Sequence, residues 1–210
     1  MNISLGNYNI VVKVIYKNNK NMYFRFDENA ILIVTCPKRT LDDEIIKLIH
    51  KNEEALLKMY EKALEKKEYN EEFWLLGKKY NVIYNNDLED VQINGEYIYA
   101  KDEKELNKYV DEEIKRIFQE EIDICSQCFN NLPQFTLKTR FMKTRWGVCN
   151  RKDKTITLNT ELIKKDIELI DYVIIHEMAH FYEGNHSSKF WDIVALACPN
   201  YKERRARLKK

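Results

Sequence analysis

The chain has 210 residues, 44% of them apolar, 12% aromatic and 33% charged, and carries a formal net charge of +1. That much apolar material builds one ordinary domain or two small lobes around a core. Few glycines (5) and prolines (3), no internal repeat and no low-complexity tract exclude a repeat array and long disordered linkers, and the near-zero charge singles out no charged partner.

The N-terminus, MNISLGNYNIVVKVIYK, lacks a basic start followed by an apolar h-region. No apolar run approaches the roughly 20 residues that a bilayer crossing needs. A soluble, cytoplasmic protein with no membrane span is therefore expected, and an odd five cysteines argue against a disulfide framework. Residues 9–17, 22–26 and 31–36 are short, β-branched or aromatic runs separated by Asn-rich turns, and read as strands. The period then changes: Thr40 is a candidate N-cap, and apolar residues at helical spacing predict one helix over about 41–66. Strands follow at 72–77, 78–84 and 95–100, then a second long helix over about 102–130 that Pro133 ends. Residues 135–160 read as a hairpin whose arms are FTLKTRFMKTRWGVC and TITLN, joined by NRKDK. Helices are predicted over about 166–183, stopped by Gly184, and over SSKFWDIVALAC, capped by Ser187 and ended by Pro199. A last basic helix covers about 199–209. Lys202, Arg204, Arg205, Arg207, Lys209 and Lys210 against Glu203 give this end a local charge of +5, leaving −4 on the rest. The plain reading is an exposed basic helix, and the same charge admits contact with nucleic acid.

Three of the four histidines fall within HEMAHFYEGNH (176–186). Positions i and i+4 share one helix face, so His176 and His180 can reach one ion, and Glu177 projects from a neighbouring angle. This is the HExxH arrangement, in which two His bind zinc and the Glu is a general base toward water. Catalytic zinc normally takes three protein ligands, and His186 supplies the third if the chain reverses at Gly184–Asn185. The preceding apolar run makes this helix a buried one, in which three polar side chains without a shared task would be costly. Arg145, Tyr172 and Tyr182 are candidate stabilisers of a tetrahedral oxyanion, and the sequence does not choose among them. Glu183 and Asp192 are candidate hydrogen-bond partners for a ligand imidazole. Phe190 and Trp191 read as buried anchors of the third-ligand turn, Cys149 as a small buried residue, and His50 as a surface residue. Cys125 and Cys128 form a single CxxC with no second pair.

The ordered segments TRWGVC (144–149), TITLNTELI (155–163), IDYVIIHEMAH (170–180), NHSSKFW (185–191) and PNYKERRARL (199–208) resemble the YgjP-like family of predicted zinc metallopeptidases, which is related to SprT-like proteases. The resemblance is specific over about 138–210; CPKRT (36–40) and LLGKKY (75–80) extend it less specifically. Val148 stands where many members carry Ser. The resemblance implies a zincin-type lobe, one Zn2+ held by His176, His180 and His186, Glu177 as catalytic base, a polypeptide substrate, and TITLN as the strand beside the cleft, where substrate backbone could add to a free edge. The expected fold is α+β: a β-rich N-terminal lobe over 1–100 with a long helix over about 41–66, then a small zincin-like catalytic lobe over 101–210, the two either separate or sharing one core. Two other functions compete with peptide-bond hydrolysis. One is hydrolysis of another amide. The other is a nucleic-acid-associated binding module with a mainly structural zinc, since SprT-like relatives act on proteins attached to DNA.

Overall fold

In a computed structural model, which describes residues 1–209, alternating apolar residues at the start of the chain pair into a four-stranded sheet. Its strands are β1 (Asn2–Leu5), β2 (Tyr8–Lys17), β3 (Tyr23–Phe26) and β4 (Leu32–Pro37), in the order β1-β2-β4-β3, with β2 and β4 parallel and the outer pairs antiparallel. Leu5, Ile10, Val12, Leu32 and Val34 point to one face and bury against Ile45, Ile49 and Leu56. Those three belong to α1 (Asp42–Lys51) and α2 (Glu53–Glu71). The single helix expected over 41–66 is thus two helices. Asn52 leaves helical geometry at φ −109° and its side-chain amide donates to the Leu48 carbonyl at 2.8 Å, so an asparagine ends a turn where no Gly or Pro marked it. The cap also differs: Leu41, not Thr40, occupies the N-cap position, and its backbone N–H donates to the Glu44 carboxylate at 3.3 Å.

The first compact unit ends at Glu72 and the second runs from Phe73, whereas the expected lobes divided at 100. The reason is packing: Leu75 is buried in the same core as the C-terminal helices, and the turn after it is bonded to the 3₁₀ turn Thr160–Lys164, with Leu76 N–H on Ile163 O at 2.8 Å and Gly77 N–H on Lys164 O at 3.3 Å. The second unit holds two sheets. One has the order β5-β6-β8-β7, from Phe73–Leu75, Lys78–Tyr84, Tyr97–Ala100 and Gln92–Asn94. The short strands β1 and β7 lie outside the predicted set. The helix α3 (Glu103–Ser126) starts at Asp102, whose carboxylate accepts from Glu105 N–H at 2.8 Å, and buries Ile114, Ile117, Phe118 and Ile122.

The third sheet departs most from expectation. The long arm over 135–149 is two strands, β9 (Thr136–Arg140) and β10 (Gly147–Asn150), on opposite sides of β11 (Thr155–Asn159). β10 and β11 form the antiparallel hairpin, while β9 runs parallel to β11. TITLN is therefore the central strand with both edges occupied, and β10 is the edge that packs on the next helix. What divides the arm is Asn159, only 3% exposed. Its amide donates to Met142 O (2.7 Å) and Arg145 O (2.8 Å), its carbonyl oxygen accepts from Met142 N–H (3.2 Å), and its backbone N–H donates to Trp146 O (2.9 Å). A buried polar side chain so fully satisfied fixes the crossing loop 141–146.

The helix α4 (Ile167–Ala179) is apolar on nearly every side and runs through this core, as an all-round apolar helix must. It ends at Ala179, five residues before Gly184, because Phe181, Tyr182 and Glu183 bond back to Met178 and Ala179 carbonyls and tighten the last turn. The remaining helices are α5 (Ser188–Ala197), whose N-cap Ser187 accepts from Phe190 N–H at 3.4 Å, and α6 (Tyr201–Arg207). Among the described residues no helix is long and apolar enough to cross a membrane. The protein is α+β in class, with six α-helices and three mixed sheets among the described residues.

Gly77 packs against Asp166 at the start of α4. At φ +77°, a Cβ there would lie 1.9 Å from Asp166 Oδ1 and 3.2 Å from Asp166 Cα. Gly77→Ala should therefore lower stability by about 2–4 kcal/mol, more than the ~1–2 kcal/mol of left-handed strain alone. Asp166→Ala in the same chain should recover part of the excess, and a double-mutant cycle on melting temperature reads the coupling. Strict additivity would show that the two residues do not meet.

Candidate metal centre and catalytic cleft

Burial of α4 brings its polar residues to one place. His176 and His180 lie one turn apart with ring centroids 5.0 Å apart, and the turn after α4 swings His186 back so that its centroid is 4.9 Å from each. The reversal is made by Glu183, whose carboxylate accepts from Asn185 N–H at 3.4 Å, and by a tight turn in which Ser187 N–H meets Asn185 O at 2.8 Å. Phe190, fully buried, is the wedge under the cluster, 4.6–4.9 Å from all three imidazoles. Trp191 stacks on His186 at 5.6 Å and on Tyr201 at 5.2 Å.

The donor set fits a single metal ion. One ring nitrogen from each histidine lies within 4.8 Å of the others, and His176 Nε2 and His186 Nε2 are 3.0 Å apart. Two nitrogens bound tetrahedrally to one zinc at ~2.0–2.1 Å are separated by about 3.3 Å. His180 Nδ1 lies 3.2 Å from the Glu183 carbonyl, so a proton there leaves Nε2 free to coordinate. The partner is thus the backbone of Glu183, not its carboxylate or Asp192. Burial, then the charges of the other two rings and Arg205, pushes His176 down to about 3; burial also lowers His180. Both are neutral at physiological pH, as ligands must be.

Glu177 is the one buried carboxylate of α4, 6% exposed. It lies against β10, and the fit explains the glycine of the RWG segment: a Cβ on Gly147 would fall 2.6 Å from Glu177 Cγ and 2.7 Å from its Oε1. The backbone N–H of Cys149 donates to the carboxylate. Burial raises Glu177 to about 7, against the opposing pull of that N–H and of Arg145. The Cys149 thiol is itself raised to about 12 by burial and the neighbouring carboxylate, which keeps it a neutral thiol.

A cavity of about 280 Å³ opens beside these groups, lined among others by Arg145, Trp146, Tyr172, His176, Glu177 and Arg205. Of the three candidate oxyanion stabilisers, Arg145 and Tyr172 reach it. Tyr182 does not line it: its hydroxyl donates to Asn130 O and its ring stacks on Phe129. Burial raises Tyr172 to about 12, so its hydroxyl stays protonated. Cys125 is buried on α3 while Cys128 is exposed beyond its end, and His50 sits on α1 beside Glu53. The basic tail is more than a solvated helix. Arg207 pairs with both Glu168 and Asp166, Arg204 lies 3.8 Å from Glu168, and Arg205 faces the cavity. Lys210 lies outside the described residues. Asn159, Gly147 and Arg205 were not marked by the sequence: each acts through a tertiary neighbour, and only the polar end of the apolar strand TITLN hinted at the first.

The sequence model of a family described as YgjP-like, metallopeptidase domain, matches residues 20–210. Among solved structures, the chain is similar to the metallopeptidase zymogen of Pyrococcus abyssi abylysin (25% identity, 43% of this chain and 90% of that one, TM-score 0.41). It is also similar to the metallopeptidase zymogen of Methanocaldococcus jannaschii jannalysin (25% identity, 46% and 97%, TM-score 0.35). Comparison with curated proteins gives no match.

The buried carboxylate generates a pH-dependent prediction. Glu177 holds its proton up to about 7 when folded against a usual 4.5, so its contribution to stability is fully present below 4.5 and is lost as pH rises through 7. At pH 8 the metal-free protein carries a desolvated charge that Glu177→Gln removes. The variant should then be more stable than the parent by on the order of 3 kcal/mol, and the gap should shrink by about that amount at pH 4.5. Thermal melts in chelator at the two pH values check this; a pH-independent difference would mean that the carboxylate is solvated.

Proposed function

The chain belongs to the YgjP-like metallopeptidase family, and on that footing we propose that it is a zinc-dependent peptidase with one Zn2+ per chain, held by His176, His180 and His186. The observation that carries this reading is the convergence of three imidazoles, two of them held neutral by burial, beside a buried carboxylate at the edge of a cavity. Zinc bound there would supply Lewis acidity toward a carbonyl oxygen and toward water.

The chain's own residues do the rest. Glu177, raised to about 7, is matched to accepting a proton from the attacking water and returning it to the departing amine nitrogen. Gly147 and the Cys149 N–H hold that carboxylate in place, so Asn159, which anchors the loop before them, is a positioning residue. Tyr172, protonated throughout the neutral range and free of hydrogen bonds to the described residues, is the donor we assign to the tetrahedral oxyanion. A substrate strand is read as adding to β10, the free edge beside α4, in place of the TITLN strand.

Zinc-loaded protein should cleave an unfolded polypeptide such as reduced, alkylated casein. Glu177→Gln should keep peptide binding while kcat falls by about 10²–10⁴. Gly147→Ala, which displaces the carboxylate without removing it, should lower kcat with little change in metal content. A Glu177→Gln variant that cleaves at the parental rate would contradict the assignment of the base.

A further inference from the structure

The cavity beside Glu177 has a charge pattern that peptide hydrolysis alone does not require. Three cations line it, Arg145, Arg205 and Lys209, and its one carboxylate is Glu177. They come from two separate segments: Arg145 from the loop before β10, Arg205 and Lys209 from the end of the chain. Among the described residues none of the three has an ion-pair partner, whereas Arg204 and Arg207 on the same helix as Arg205 both face Glu168. Arg205 is nevertheless held, with its guanidinium 4.7 Å from the centre of the Trp191 ring, which itself stacks on His186 and on Tyr201. A guanidinium fixed through its π-face keeps its N–H fork free for a planar anion. Both arginines line the same cavity as Tyr172, His176 and Glu177.

We infer that this cavity is a carboxylate subsite, in which Arg145 and Arg205 bind a negatively charged group of the peptide next to the scissile bond. The inference rests on the peptidase reading and names its substrate class. Two sources share the chemistry, a free C-terminal carboxylate and an Asp or Glu side chain. Bidentate arginine–carboxylate contacts are strong and geometrically specific. A nucleic-acid phosphate would suit the same charges, but the recess has an apolar lining from Trp146, Val173 and Leu208, and Arg204 and Arg207 are engaged with acids instead of forming an open basic strip.

The test uses one peptide core in three forms: neutral with an amidated end, neutral with a free carboxylate end, and amidated with internal Asp and Glu. Binding of each to zinc-loaded Glu177→Gln is read by fluorescence anisotropy, and cut sites made by the unsubstituted protein are read by mass spectrometry. At least one carboxylate form should bind about tenfold or more tightly than the neutral form. Arg145→Gln and Arg205→Gln, two exposed positions on separate segments, should each remove most of that preference while sparing binding of the neutral peptide. A free-end preference places cuts near the C-terminus; a side-chain preference places them beside internal acids. Equal binding of all three forms overturns the subsite, as does displacement of every peptide by a DNA oligonucleotide with steep salt dependence. Cleavage without carboxylate preference overturns the subsite and leaves the peptidase reading intact. Carboxylate-selective binding with no cleavage of any peptide or unfolded protein supports the subsite and contradicts the peptidase reading.

Discussion

A carboxylate taken out of water with no ion-pair partner among the described residues is the constraint around which the second unit is organised. Glu177 lies on a helix that is buried on nearly every side, and it cannot escape to solvent. The fold answers with backbone: a glycine removes a side chain that would collide with it, and an N–H of the same strand donates to it. A lysine or arginine in contact would have stabilised the anion more, and would also have held its pKa too low for accepting a proton near neutrality. Burial, opposed by one hydrogen bond and the charge of Arg145, leaves it near 7, the range that the proposed role as base requires. Stability is given up for that placement.

The same economy governs the imidazoles. Their rings share an aromatic floor in Phe190, and Trp191 walls His176 and His186; burial keeps His176 and His180 neutral. The C-terminal helix closes the arrangement from the other side. Two of its arginines tie it to the first turn of α4, and the third rests on the aromatic wall and faces the cavity. One short basic segment thereby braces the helix that carries His176 and His180 and contributes charge to the cavity beside them. Net charge near zero hides this, because the cations are distributed by partner and not by count.

How much of this could be read from residues alone follows from the range of each interaction. The HExxH pair is a matter of helical period, and His186 of a short chain reversal, so both were legible; so were α3, the capped start of α5 and most strands. The helix ends through bonds within its last turn, before Gly184, and the reversal is held by Glu183, Asn185 and Ser187. Features set by distant neighbours were opaque. Nothing in FTLKTRFMKTRWGVC says that it splits around a strand that follows it, since the splitting agent is the side chain of Asn159. Gly147 looks like a turn residue until Glu177 is seen against it. Asn52 breaks a helix through its own side chain, without the usual glycine or proline. The extra strands 2–5 and 92–94 are short enough that pairing, not pattern, makes them.

The proposition on which the functional account stands is that His186 joins His176 and His180 on one ion. Elemental analysis of dialysed protein, comparing the natural sequence with His186→Ala under identical zinc loading, tests it most directly. The account predicts about one zinc per chain in the first and loss of tightly held zinc in the second, because two imidazoles alone make a weak site. A natural chain that retains no zinc, or a His186→Ala chain that retains it equally well, would contradict it.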